Sequence, residues 1–222
     1  MLLAIDTSTA HIGLALYDGA QVTGEMTWIS NQRHTVELAP ALAGLLARTG
    51  LSMNLIQALG AALGPGSFTS LRVGLAFAKG LALARHLPLI GVPTLDVVAA
   101  GQPVREMPLI AVIQAGRGRI AVGRYNASEN GWQAAGPART TTADELAESV
   151  HRPTLVVGEL SADERQRLAR KRKNIVLASP AQSLRRPALL AEMAYERWRA
   201  GEIPELASLA PIYLHVAEPI PG

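Results

Sequence analysis

Leu2-Leu3-Ala4-Ile5-Asp6-Thr7-Ser8-Thr9 opens the chain, followed by His11-Ile12-Gly13-Leu14-Ala15-Leu16-Tyr17 and then Asp18-Gly19. A strand-length apolar run, a short polar turn, a second run and an Asp-Gly pair read as two buried strands and a hairpin into a third. The sequence predicts strands over 2–6, 11–17 and 20–29, paired as an antiparallel meander. Working outward, it predicts a helix over 35–48, a short helix over 52–57, strand 58–63, helix 68–86 and strand 88–92. Val36, Leu38, Leu42, Leu45 and Leu46 give the first helix one apolar stripe, Gly50 closes it, and Pro40 marks a kink or a later start.

Between the last strand-to-helix pair runs Ala62-Leu63-Gly64-Pro65-Gly66-Ser67-Phe68-Thr69-Ser70-Leu71-Arg72-Val73-Gly74. Glycines let backbone amides approach a ligand closely, and a helix start offers unpaired N–H groups and partial positive charge. Such a loop could hold an anion; it could equally be a turn capped by the hydroxyl of Ser67 or Thr69. No lysine follows the glycines, so it is not a P-loop, and Pro65 and Thr69 flank Ser67 where a nucleophile elbow needs glycines. The helix beyond it is rich in small residues (Gly74, Ala76, Ala78, Gly80, Ala82, Ala84), which implies close approach to its own sheet or to another chain.

The 222 residues are 49% hydrophobic, enough for a real core, and the net charge of +3 does not make a nucleic-acid binder. The one dense basic run, Arg165 to Lys173, reads as an RNA footprint or as a solvated helix with Leu168 and Ala169 inward; no aromatic is interleaved for stacking. The longest apolar run, Leu71 to Ala84, is broken by Arg72 and Lys79, and the start of the chain lacks a signal-peptide pattern. With no cysteine there is neither disulfide nor thiolate metal site, and a cytoplasmic protein is expected. The histidines at 11, 34, 86, 151 and 215 show no ligand spacing, so no metal site is expected. After a boundary near Gly101-Gln102-Pro103 the style repeats: strands 109–114 and 119–126, helix 142–150, strand 154–158, helix 161–172, strand 174–178 and helix 187–200. Pro187 starts that last helix and Gly201 ends it. No internal sequence repeat is evident.

Ala4-Ile5-Asp6-Thr7, His34-Thr35, Gly64-Pro65-Gly66-Ser67-Phe68-Thr69 with Arg72 and Gly74, and Lys79-Gly80-Leu81-Ala82 together resemble the TsaB (YeaZ) family. That family serves the synthesis of threonylcarbamoyladenosine in transfer RNA. The resemblance is specific over residues 1 to 100 and diffuse beyond, through Pro108–Tyr125 and Pro211-x-Tyr213-Leu214. It implies an α/β, two-lobed actin-like architecture (the duplicated ribonuclease-H-like or ASKHA fold), with lobes at 1–105 and 106–222 and a final tail able to pack back on the first lobe.

The resemblance further implies a non-catalytic subunit that binds TsaD, forms a homodimer without it, works with TsaE, and meets tRNA only through the complex. It would support threonylcarbamoyl transfer to the adenosine 3′ of the anticodon of tRNAs reading A-starting codons. No cofactor is expected on this chain alone; ATP and a metal belong to TsaD, which holds its metal with a histidine pair one helical turn apart that is missing here. Asp6, Thr7, Ser8, Gly66, Ser67 and Thr69 are the candidates for a degenerate phosphate loop. His34, Leu38, Leu42, Phe68, Arg72, Gly74 and Ala78 are the candidates for a partner interface.

The chain departs from the family pattern at Ser70 (usually glycine), at Gln114-Ala115-Gly116 (usually Asp-Ala-Arg) and at His215 (usually arginine). Gln114 removes a carboxylate from the first turn of the second lobe, which leaves Asp6 without an opposite acid; Arg117 and Arg119 would contact an acidic partner or be solvated. Two other readings are an actin-like ATPase or sugar kinase acting alone, for which no second phosphate motif is found in 109–222, and a peptidase, for which no nucleophile or metal ligands are found.

Overall fold

β1 (Leu2–Asp6), β2 (His11–Tyr17) and β3 (Val22–Ile29) pair as the antiparallel meander that the sequence predicts, with Leu2 opposite Tyr17 and His11 opposite Ile29. β3 starts at Val22 rather than at residue 20 because Asp18 Oδ1 accepts the Ala20 and Gln21 amides at 2.8 and 2.7 Å and holds both in the turn. α1 (His34–Thr49) runs through Pro40 and ends at Gly50, whose φ of 67° is left-handed. A single 3-10 turn, Met53–Leu55, replaces the expected short helix. β4 (Ala58–Ala62), α2 (Phe68–Arg85), β5 (Leu89–Val92) and α3 (Thr94–Ala100) follow. β4 and β5 add in parallel beyond β1, giving the order β3-β2-β1-β4-β5.

The same order and polarity recur. β6 (Leu109–Gly116), β7 (Arg119–Ser128) and β8 (Gly131–Ala134) form a second antiparallel meander, and β9 (Arg139–Thr141) pairs with the first part of β7. α4 (Ala143–Ser149), β10 (Thr154–Gly158), α5 (Ala162–Ala169) and β11 (Ile175–Leu177) complete a sheet of order β11-β10-β6-β7-β8. The duplication that the sequence could not prove is therefore present in topology. α4 and α5 are each closed by a capping box, Thr142 with Glu145 and Ser161 with Glu164. α5 ends at Ala169, short of the expected 172. The sequence reading contains neither β8 nor β9 nor α3.

This computed structural model describes residues 1–31, 33–170 and 173–214. The described chain divides into a unit of Met1–Val97 with Arg186–Ile212 and a unit built on Val98–Arg185. α6 (Pro187–Arg199), which the sequence reading places in the second lobe, lies in the first unit. Strand alternation explains why. Leu3, Ile5, Ile12, Leu14 and Leu16 face α1 and α2, packing on Leu38, Leu42, Leu75 and Ala78. Leu2, Ala4, Ala15, Ala58 and Ala62 face the other way and need a cover, which Ala188, Leu190, Ala191 and Ala194 of α6 supply. That face is lined by small residues, so α6 lies close: a Cβ on Gly60 would stand 2.7 Å from that of Ala194. The second unit has its own core around Ile110, Val112, Val122, Leu146, Val156 and Leu168.

Candidate functional site

The candidate phosphate loop is a closed hydroxyl network. Asp6, Thr7, Ser8 and Thr9 are all buried, the most exposed of them at 3%. The Ser8 amide donates to Asp6 Oδ1 at 2.9 Å, which makes Asp6 the organiser of its own turn. Thr7 Oγ1 donates to the Ser70 carbonyl at 2.9 Å, and the Ser67 amide donates to the Ser8 carbonyl at 2.7 Å. Ser8 Oγ and Thr94 Oγ1 share a hydrogen bond of 2.7 Å, and Thr94 Oγ1 accepts the Gly64 amide at 3.0 Å. The Thr94 amide in turn donates to the Gly64 carbonyl at 2.8 Å.

Glycine is needed here for closeness as well as for conformation. Gly64 has φ of 103°, which an L side chain resists. A Cβ on Gly66 would overlap the Ser8 carbonyl, and one on Gly74 would overlap Thr7 Oγ1. The start of α2 is thus seated directly on the β1–β2 turn. Ser67 is the residue before the helix but its side chain does not cap it; its Oγ instead accepts the Ser70 hydroxyl at 3.0 Å. The reading of the loop as a hydroxyl-capped turn does not hold: main-chain and hydroxyl contacts to the β1–β2 turn take the place of the cap. Thr69 is exposed beside it.

Ser70, where the family usually has glycine, supplies the carbonyl that anchors Thr7 and a hydroxyl that reaches Ser67. Thr94 was missed by sequence reasoning; a threonine directly after Pro93 at the end of a parallel strand was the available signal.

The seven expected interface residues divide sharply. Phe68 is 53% exposed and Arg72 lies over its ring at 3.7 Å from the centroid, on the outer face of α2. His34, Leu38, Leu42, Gly74 and Ala78 are instead interior to the first unit. Nε2 of His34 donates to the Thr9 carbonyl at 3.1 Å, so it ties α1 to the first hairpin. A residue packed this way cannot meet a partner without opening its own core. The outward residues are others: Val36 at 63% and Leu83 at 65% exposure, together with exposed Ala39, Ala43, Ala76 and Gly80 on the same two helices. Beside them Trp28 Nε1 donates to Glu37 Oε2 at 2.9 Å, and this bond, with one from Ser30, holds the Glu37 carboxyl below its ordinary range.

In the second unit the end of β6 carries a carboxamide where the resemblance leads one to expect a carboxylate. Gln114 Nε2 donates to Glu164 Oε2 at 2.7 Å and to the Glu159 carbonyl at 3.2 Å, fastening the end of β6 to the start of α5. Glu159 itself pairs with buried Arg185. The first two arginines of the basic run are engaged: Arg165 donates to the Ala178 carbonyl at 2.6 Å, and Arg167 bridges Asp144 at 2.7 Å and Asp163 at 2.8 Å, with Leu168 buried beneath. Lys171, Arg172 and His215 lie outside the described residues. Among the described residues no three histidine, aspartate or glutamate side chains gather as metal ligands, and no helix is long and apolar enough to cross a membrane.

Comparison with known proteins gives a consistent picture. The family described as "TsaD: tRNA N6-adenosine threonylcarbamoyltransferase" matches residues 24–185. The chain is 28% identical to the tRNA threonylcarbamoyladenosine biosynthesis protein TsaB of Bacillus subtilis, over 98% of this chain and 95% of that one. It is 36% identical to TsaB of Escherichia coli over 59% of this chain, a stretch that spans 57% of that protein. Among solved structures, YeaZ from Pseudomonas aeruginosa superposes with a TM-score of 0.78 at 25% identity, covering 96% of this chain and 99% of that one. The activator of 2-hydroxyisocaproyl-CoA dehydratase from Clostridium difficile, solved with bound ADPNP, shares the fold alone: its TM-score is 0.51 at 12% identity, over 91% of this chain and 97% of that one.

Proposed function

This chain belongs to the TsaB (YeaZ) branch of the TsaD family, a two-lobed actin-like fold, and from that premise we propose that it is a non-catalytic subunit of tRNA threonylcarbamoyladenosine synthesis. In this reading it binds TsaD and, with TsaE, supports threonylcarbamoyl transfer to the adenosine 3′ of the anticodon of tRNAs that read A-starting codons. The observation that carries the non-catalytic role is the closed loop. The Ser8, Gly64, Ser67 and Thr94 amides and the Thr7 and Ser8 hydroxyls are spent within it, and α2 sits directly on the β1–β2 turn. ATP and metal then belong to TsaD, the tRNA is met through the complex, and the assembly works in the cytoplasm.

The outer face of α1 and α2, from Val36 through Phe68 and Arg72 to Leu83, is the surface we assign to TsaD and, without TsaD, to a second copy of this chain. Reconstitution tests the reading. Cognate TsaD and TsaE, unmodified tRNA, ATP and threonylcarbamoyl-adenylate are combined with and without this chain, and the modified nucleoside is quantified by mass spectrometry after digestion. Omission is expected to lower its formation by about tenfold or more, while the chain alone hydrolyses ATP more slowly than about 1 per second. Equal yield with and without the chain, or fast hydrolysis by the chain alone, would overturn the proposal.

A further inference from the structure

The second unit carries a group of cations with no counter-charge. Elsewhere in that unit two arginines find acids: Arg167 has Asp144 and Asp163, and Arg185 has Glu159. Arg124, Arg139 and Arg152 do not; among the described residues none of the three pairs with a carboxylate. Their clustering follows from the topology. Arg124 lies on β7, two residues along from Val122, whose β9 register partner is Arg139. Arg152 sits between α4 and β10. Burial and then the charges of Arg139 and Arg152 push the Arg124 guanidinium below its ordinary value, and no acid offsets them.

Two of the cations, Arg124 and Arg152, line a cavity. A pocket of about 330 Å³ opens at the starts of β6 and β10, with Arg124, Ser149, His151 and Arg152 among its polar lining. Arg124 is held rather than free to swing away: its Nη2 donates to Ser149 Oγ at 2.8 Å, and that hydroxyl donates on to the Leu146 carbonyl at 2.9 Å. The remaining guanidinium donors have no partner among the described residues. Such a fixed planar fork suits the oxygens of a tetrahedral anion. Like charges held together without an acid weaken the unliganded fold, which is the usual cost of a site arranged for a ligand.

We propose that this pocket binds a phosphate group, taken by Arg124 and Arg152, with His151 at the rim and Arg139 adding positive charge nearby. The phosphate comes either from an RNA backbone or from a free mononucleotide. The proposal is independent of the subunit role inferred above, because the whole site lies within the second unit and shares no residue with the α1–α2 surface.

The test uses the full chain and three probes: inorganic phosphate, AMP and a short single-stranded oligoribonucleotide. Binding is followed by calorimetry and by the rise in Tm that a native-state ligand produces. The variant is the exposed pair Arg139→Glu with Arg152→Glu; Arg48→Glu with Arg199→Glu, exposed in the first unit, matches its change in net charge. Wild type and the charge-matched control are expected to bind saturably. The cluster variant is expected to lose affinity by about tenfold or more while its unliganded Tm rises, because a like-charge repulsion has been removed. A merely structural cluster would not give that pair of opposite changes. Tightest binding of the oligoribonucleotide, with steep salt dependence, assigns an RNA backbone; tightest binding of AMP assigns a mononucleotide. Absence of saturable binding by all three probes, or equal binding by wild type and cluster variant, would overturn the proposal.

Discussion

Gly74 and Gly80 lie on the same helix, yet their surroundings are opposite. A methyl group at Gly74 would collide with Thr7 Oγ1 and break its bond to the Ser70 carbonyl, whereas nothing stands within 4 Å of a Cβ at Gly80. Gly74→Ala is expected to lower stability by about 2 kcal/mol, since overpacking and a lost buried hydrogen bond outweigh the gain in helix propensity. Gly80→Ala should raise it by up to about 1 kcal/mol, because only the propensity term remains. Urea midpoints of the two variants check the opposite signs. Protonation of Glu37 offers a second test at this scale. Its carboxyl is held down chiefly by the Trp28 indole and then by Ser30, so its contribution to stability is complete above the unfolded glutamate value. That contribution is lost as pH falls through the lower folded value. Trp28 emission, taken as the difference between wild type and Glu37→Gln, should therefore titrate below 4.5.

Two stripes run along α2, and each includes small residues for a different reason. Leu71, Gly74, Leu75, Ala78 and Ala82 face the sheet and the β1–β2 turn; Phe68, Arg72, Ala76, Gly80 and Leu83 face outward at spacings of three and four. The inward set explains the close seating of the helix on its own unit. The outward set leaves an apolar surface that its own unit does not cover, which is the physical basis for assigning it to a partner. Ala76→Glu separates the two roles. It should leave the urea midpoint within about 0.5 kcal/mol of wild type and weaken association with TsaD by about tenfold or more, measured by light scattering or calorimetry. Gly74→Glu or Ala78→Glu, by contrast, would place a charge in the core and report on folding instead of association.

At the scale of the molecule, the first unit is assembled from both ends of the described chain. Arg186 reaches Glu25 through two hydrogen bonds, one of 3.1 Å, and the Ala188 amide donates to the same carboxylate at 3.0 Å, which fixes where α6 begins. Past that anchor, α6 covers one whole face of the β1–β5 sheet, and Tyr195 packs edge-on against Tyr17 at 5.2 Å between ring centroids. A fragment of residues 1–185 would leave Leu2, Ala4, Ala15, Ile90 and Val92 exposed to water. It is expected to elute as aggregate on gel filtration and to lack the cooperative thermal transition of the first unit, with the near-UV circular dichroism of Tyr17 lost. A monomeric fragment with an intact transition would show that α6 is dispensable to that sheet.

Local pattern by itself determined the meander of β1 to β3, the start of α2 after Ser67 and most of the second-half elements, because alternation, turn residues and caps act over a few neighbours. The motifs at Asp6, Gly64–Thr69 and Gly74 likewise pointed to the family without any coordinates. The inward or outward role of each α2 residue was decided only by the tertiary structure: glycine and alanine carry no sign of which side they face, and the helix has small residues all round. The same holds for α6, whose placement depended on a sheet face formed almost two hundred residues earlier in the chain. It holds also for Arg124, Arg139 and Arg152, scattered in sequence and gathered by strand register and a helix end. Periodicity is a local property, whereas closeness, burial and uncompensated charge exist only once distant segments share a volume.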